Sequence, residues 1–418
     1  MYSLGDTMEK PKLHYGWIVI FVGLLVTIGA HGFGRMSYTL ILPAMKDGLK
    51  FTYTQLGLIG TGNFIGYLIM ALIGGALASK FGSRLVMALA LGFMGLTMFC
   101  TGLAQNFEQA FSFRLLTGLG HGACYVPALA LGSAWFASRR RGFATGIVAA
   151  GIGGGTMIAS LIIPFILKAY GPAGWRYAWH YLGVVVLIIA VVAALFIRSR
   201  PEEMGLRQVG EESDPPPPPP SGGPVSKTLE WGKVYKMGSV WYLGTVYFMY
   251  GFSYIIYMTF FAAYLIKEAG FTPPQASGLW GLVGGLSIFC GIIWGGVSDR
   301  FGRGKGAALA YVTLGTAYLL FALIKAPFGY YLSALLFGLS AWSIPTIMAA
   351  TAGDLVGPKL APAGLGFVTL FFGTGQALGP WLGGYLADIL RSFSWPFLLA
   401  TGVSFLGALM SLGIKTKK

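Results

Sequence analysis

Apolar runs of roughly 20 residues recur along most of the chain, separated by short polar gaps. A bilayer core about 30 Å thick is crossed by about 20 residues of helix, so each run predicts a membrane span. The pattern gives twelve: 16–44, 54–78, 84–104, 109–137, 142–169, 177–197, 238–266, 275–298, 305–325, 328–352, 362–387 and 393–414. Gly and Pro are scattered inside many of them, which packed membrane helices tolerate and use for close approach. The one long polar stretch, 198–237, carries Glu202-Glu203, Glu211-Glu212, Asp214, six prolines from Pro215 to Pro220, and Ser221-Gly222-Gly223. Such composition reads as a solvated spacer, with a proline-ligand site for a partner domain as the alternative. Six spans precede it and six follow. The predicted organisation is an all-α integral membrane protein, with an N-terminal six-helix bundle (1–197), a Pro-rich linker (198–237) and a C-terminal six-helix bundle (238–418).

Composition agrees with that reading. Of 418 residues 55% are apolar and only 10% charged, where a soluble domain carries about 25% charged residues. The net charge of +15 raises nucleic-acid binding, but the basic residues sit in gaps between spans, as at Arg139-Arg140-Arg141, which argues against it. Lys and Arg accumulate on the cytoplasmic side of membrane proteins. With both termini inside, the inner segments hold 20 of the 29 basic residues and the outer loops seven. The expected location is therefore the cytoplasmic membrane, multi-pass, with both ends cytoplasmic. Cys100, Cys124 and Cys290 lie far apart in apolar runs without metal spacing. No metal or cofactor site, phosphate loop or nucleophile–base pair is recognisable, so neither an enzyme nor an ATP-driven pump is expected.

The halves repeat. Gly75-Ala-Leu-Ala-Ser79-Lys80-Phe81-Gly82-Ser83-Arg84 aligns without a gap on Gly295-Gly-Val-Ser-Asp299-Arg300-Phe301-Gly302-Arg303-Gly304, 220 positions later. This pattern resembles the loop motif G-x-x-x-D-R-x-G-R of the major facilitator superfamily; the first copy has Ser79 in the acid's place. Arg114-Leu-Leu-Thr-Gly118-Leu-Gly120 is similar to the superfamily's fourth-helix R-x-x-x-G-x-G. The run from Arg140 to Gly155 resembles the monocarboxylate transporter signature R-R-x-L-A-x-G-x-x-x-A-G-x-x-x-G, and Tyr15-Gly16-Trp17 is similar to that family's first-helix motif without its leading acid. Glu202-Glu203-Met204-Gly205-Leu206 resembles the monocarboxylate and oxalate–formate exchanger group. Two departures matter: span eight has no Arg or Asp and span eleven no Lys, which argues against a dicarboxylate held by two such cations. Arg35, eight residues before Pro43, is spaced as in cyanate permease-like transporters. The resemblance implies the major facilitator fold, two pseudo-symmetric six-helix bundles rocking about a central site.

Chemistry concentrates on a few polar positions inside the spans. An ionisable residue there is a functional hypothesis by default. Thr27, His31, Arg35 and Tyr38 share one face of a regular helix. The planar guanidinium of Arg35 suits a carboxylate; bonding to a neighbouring helix's carbonyls is the structural alternative. Arg114, Thr117, His121 and Tyr125 form a second stripe, with Arg114 assigned to structure or coupling before substrate contact. All 14 Asp and Glu lie in loops, linker or span ends, which leaves His31 and His121 as the titratable coupling candidates. A nearby arginine opposes the imidazolium and a bound anion favours it, so anion and proton would cross together. Tyr247, Tyr250, Tyr254 and Tyr257 line one face of span seven, either as a wall around the substrate or as a packing seam. Ser343, Gln376 and Asn63 are further polar candidates, and Asp299, Arg300 and Arg303 of the loop motif are assigned to gating. The expected function is alternating-access transport of a small organic monoanion of monocarboxylate type, by proton symport. Anion exchange and export of neutral or lipophilic compounds are the alternatives. Expected partners are the anion, protons and the lipid bilayer, with a monomer favoured.

Overall fold

A computed structural model describes residues 14–210, 234–357 and 360–414. The polyproline run Pro215 to Pro220 with its flanking acids, and the closing Lys415, Lys417 and Lys418, lie outside the described residues. Within them the chain is helical, with one isolated β-bridge between Phe136 and Val209. The first half comprises α1 (Tyr15–Leu49), α2 (Tyr53–Phe81), α3 (Ser83–Leu103), α4 (Phe107–Trp135), α5 (Ser138–Tyr170) and α6 (Gly174–Phe196). The second comprises α7 (Gly238–Lys267), α8 (Pro273–Ser287 and Cys290–Phe301), α9 (Arg303–Leu323), α10 (Pro327–Val356), α11 (Ala361–Leu390) and α12 (Ser394–Ser411).

By length and apolar composition, nine described helices can cross a bilayer, or ten with the bent α8 taken as one span. That stricter count falls short of the twelve expected spans. One reason is that its longest stretch, Arg140–Phe196, contains both α5 and α6, which part at Gly171 with φ +55°.

The repeat is structural as well as sequential. Thr52 caps α2 in a capping box with Gln55, and Thr272 caps α8 in the same box with Gln275. Each box satisfies backbone N–H groups that the first helical turn leaves without partners. Both second helices end on a glycine of positive φ, Gly82 at +85° and Gly302 at +91°. These pairs keep the offset of the loop motif. The halves meet through α2 against α11 and α5 against α8, which a two-fold relation between the bundles exchanges. Small residues set the distance: a Cβ on Gly153 would stand 2.4 Å from the Gly284 oxygen, so α5 and α8 touch backbone to backbone.

Polar contacts between the halves cluster at the end where α1 joins α2. There Lys267 pairs with Asp47 at 2.7 Å. The Asp388 carboxylate at the end of α11 accepts from Tyr53 N (3.0 Å), Thr54 N (2.7 Å) and Thr54 Oγ1 (2.6 Å) at the start of α2. This is the sealed end; the opposite, motif-bearing end carries Gly82 and Gly302.

Three breaks fall mid-span. In α1, Ile28–Met36 is π-helical, with Ser37 N donating to the Gly32 oxygen five residues back at 3.1 Å. The wide turn fits a close crossing with α5, where a Cβ on Gly32 would lie 2.4 Å from Gly155 Cα. The two pieces of α8 meet at 48°. In α10 the helix is interrupted at Ala341–Trp342, and the Ala341 carbonyl accepts from the Tyr250 hydroxyl.

Candidate functional site

Arg35 sits in the π-helical turn of α1, 8% exposed. Its Cζ lies 4.2 Å from the Phe64 ring centroid and 5.6 Å from that of Tyr67, both on α2. Nη2 donates to the Tyr254 hydroxyl of α7 at 2.8 Å, and Nη1 lies 3.4 Å from His31 Nε2. His31 Nδ1 is 2.9 Å from His121 Nε2 of α4. On the other side, Gln376 of α11 donates its side-chain amide to the same Tyr254 hydroxyl. A continuous polar chain, His121–His31–Arg35–Tyr254–Gln376, therefore crosses from one half to the other.

Hydrogen-bond logic assigns its protons. An arginine only donates, so His31 Nε2 accepts; neutral His31 then carries its proton on Nδ1 and gives it to His121 Nε2. His121 is left with a protonated Nδ1, an atom with no partner. Three further buried atoms around the chain are unpartnered: Arg35 Nε, Gln376 Oε1 and Trp342 Nε1. The Trp342 ring lies 6.0 Å from Tyr254 and 6.3 Å from His31, at the break in α10.

Arg114 is 1% exposed. Its Nη1 donates to the Gly34 oxygen at 2.8 Å, its guanidinium lies over Trp179 (4.7 Å) and Tyr38 (5.1 Å), and its carbonyl accepts from Asn63 Nδ2 at 3.0 Å. It thus ties α4 to the π-helical turn of α1. Neither buried arginine has a carboxylate partner among the described residues. The ion pairs among the described residues are Lys267–Asp47, Arg303–Asp299 (2.5 Å) and Arg303–Asp354 (2.9 Å), all near the helix ends. A buried cation without a counter-ion costs several kcal/mol even after relaxation, and two share this region.

The remaining sequence candidates divide. Tyr38 lines the same region and its hydroxyl donates to the Leu56 oxygen at 2.6 Å. Tyr125 reaches His31 through its ring, at 4.6 Å. The expected face of four tyrosines on α7 does not act as one wall. Tyr254 alone offers its hydroxyl to Arg35; Tyr250 stacks on it at 4.5 Å but spends its own hydroxyl on Ala341. Tyr247 stacks on Phe372 at 4.5 Å. Tyr257 turns into the second half, where its hydroxyl meets Ser333 at 2.7 Å and its ring packs on Phe337 and Phe321. Ser343 is likewise spent on the Ser340 carbonyl. Asp299 and Arg303 form the motif-end network, with Arg300 over Phe301. Sequence reasoning missed Phe64 and Tyr67, the rings against Arg35.

A model of the Major Facilitator Superfamily matches residues 24–361. The chain belongs to that superfamily. Two relatives align over nearly its full length. One, named a probable sulfoacetate transporter, from Cupriavidus necator, is 26% identical over 91% of this chain and 89% of its own. The hexuronate transporter of Bacillus subtilis is 24% identical over 90% and 89%. Among solved structures, a bacterial homologue of the human lysosomal transporter Spinster, inward-facing and unoccupied, superposes with a TM-score of 0.76 at 16% identity, covering 98% of this chain and 99% of that one. The superfamily chain is thus a multi-pass membrane transporter rather than an enzyme.

Proposed function

We propose that this superfamily transporter carries small organic anions by secondary, alternating-access transport, with Arg35 as the cation that holds the substrate. One observation carries the reading: two buried guanidiniums without a carboxylate partner among the described residues, one of them at the junction of the halves with an unused Nε–H. An anion supplies the missing charge, and a carboxylate or sulfonate matches a guanidinium in two-point geometry. The relatives named for sulfoacetate and hexuronate support an anionic cargo. Tyr254 and Gln376 contribute neutral contacts from the second half, so the substrate sits between bodies that must rock. The monocarboxylate class is the finer form of the proposal.

The imidazole pair supports proton symport. Each ring nitrogen facing the chain is already committed, so a proton added to His31 or His121 breaks a link and loosens Arg35 for the anion. The bound anion in turn offsets the charge of the new imidazolium, giving mutual preference of proton and substrate. In the same proposal the chain lies in the cytoplasmic membrane with both termini inside. The sealed end then faces outward and the motif end the cytoplasm. The two bundles, 1–197 and 238–418, are the rocking units, joined by 198–237.

The test is uptake into proteoliposomes of labelled lactate, acetate, cyanate, sulfoacetate and a hexuronate, with and without an inward proton gradient. At least one anion accumulates with the wild-type chain, and Arg35→Gln abolishes that uptake. Full uptake by Arg35→Gln removes the basis for the anion site. Acid-stimulated uptake retained by both His31→Ala and His121→Ala removes the proton scheme and leaves exchange.

A further inference from the structure

Beside Arg35, on the Arg114 side, the structure holds a small chamber. Its volume is about 20 Å³, and Arg35, Tyr38, Gly60, Asn63, Arg114 and Thr259 are among the residues that line it. That exceeds the roughly 10–15 Å³ one water requires and is too small for an organic anion. Both arginines are more than nine-tenths buried, and each keeps an Nε–H with no acceptor. The chamber is therefore bordered by two buried guanidinium side chains that have no carboxylate partner among the described residues. Water would leave both charges uncompensated, whereas a monatomic anion offsets one of them. A carboxylate on the Tyr254 side of Arg35 leaves the Arg114 charge in place, so the chamber's requirement is separate from the substrate's.

We propose that the space between Arg35 and Arg114 is a halide site, occupied by one chloride-sized anion that stabilises the first half around the π-helical turn of α1. The site shares Arg35 with the proposed substrate site but stands on the chamber itself and does not need the transport assignment. Gly60 gives a direct handle on it. A Cβ there would meet Tyr38 Cε1 at 3.6 Å and Pro380 Cβ at 3.7 Å, ordinary contacts, so a methyl group enters without a backbone clash and takes up room the ion needs. Both arginines are untouched by that change.

The experiment is thermal unfolding of the purified full chain, without organic anions, in sodium chloride or sodium bromide against sodium sulfate at fixed ionic strength. The wild-type chain gains a saturable rise in Tm with chloride and with bromide and none with sulfate. In Gly60→Ala the halide concentration needed for half the rise increases by about ten-fold or more, while the Tm in sulfate stays near the wild-type value. Identical chloride and sulfate curves for the wild type overturn the proposal, because the chamber then holds water. An undiminished halide effect in Gly60→Ala also overturns it, because the ion then binds elsewhere. A third arm adds sulfoacetate: if it competes with chloride, the space takes an organic anion's second acidic group, and the halide assignment fails. Uptake in chloride-free sulfate, sensitive to Arg35→Gln, tests the transport reading independently of all three.

Discussion

Removing the Asp388 carboxylate should unseal the end where α1 joins α2. Asp388 stands on α11 and holds the first two backbone N–H groups of α2 and the Thr54 hydroxyl, at 2.6–3.0 Å. Those contacts cross between the halves, so they exist only while this end is shut and count fully toward the shut state. Losing a carboxylate cap at a helix N-terminus costs about 0.5–2 kcal/mol, and the loss of its favourable charge in the helix field adds about 0.3–1 kcal/mol. Asp388→Ala therefore shifts the shut-to-open ratio by about 1–3 kcal/mol, or about 5- to 150-fold. The assay is alkylation of a single cysteine at Thr259, buried below the seal, in a background with Cys100, Cys124 and Cys290 replaced. An impermeant reagent applied from the sealed side reacts in proportion to the open population when opening is fast. Asp47→Ala serves as the comparison: it removes an exposed inter-half ion pair with Lys267, a contact of a kind that contributes little. An Asp388→Ala labelling rate equal to wild type, or no greater than that of Asp47→Ala, refutes the argument.

Gly153→Ala drives a methyl into the Gly284 carbonyl and should lower Tm and cut uptake, whereas Gly154→Ala next to it meets nothing within 4 Å and should leave both unchanged. Gly32→Ala collides with the Gly155 backbone and should destabilise by about 1–3 kcal/mol in denaturant unfolding; an unchanged midpoint contradicts the close α1–α5 crossing. Tyr254→Phe deprives Arg35 and Gln376 of a shared acceptor and should weaken anion uptake about ten-fold or more, read as KM and kcat. Tyr257→Phe loses only its Ser333 partner, so Tm should fall with KM unaltered; a raised KM would return Tyr257 to the substrate wall.

Much of this was legible in the chain because charge is so scarce inside it. Against an apolar background Arg35, Arg114, His31 and His121 stand out by composition alone, and the structure brings all four to one region. The aromatic partners gave no such signal. Phe64 and Tyr67 on an apolar helix look the same whether they face lipid, core or a guanidinium. The choice between wall and seam for the tyrosine face on α7 was open for a related reason: that helix is buried on nearly all sides, so a shared face does not say which half it meets. The π-helical turn was also hidden, since face assignments assume 3.6 residues per turn and the close Gly32–Gly155 crossing depends on a helix distant in sequence.

The division of charge between the halves bears on how the proposed cycle works. Both buried arginines and both interior histidines belong to the first half, while the second meets them with Tyr254, Gln376 and Trp342, all neutral. Long-range attraction on an anion then comes from the first half alone and persists whichever end is open. The second half adds short-range contacts that need the halves together at mid-span, as the Arg35–Tyr254 bond does here. That bond also fixes the order of events: Tyr254 must leave Arg35, or share it, for a carboxylate to take both guanidinium edges. Substrate entry thereby loosens a link between the halves that holds without it. A link of that kind couples occupancy to rocking without any acidic residue inside the membrane, which is the arrangement this chain's distribution of Asp and Glu requires.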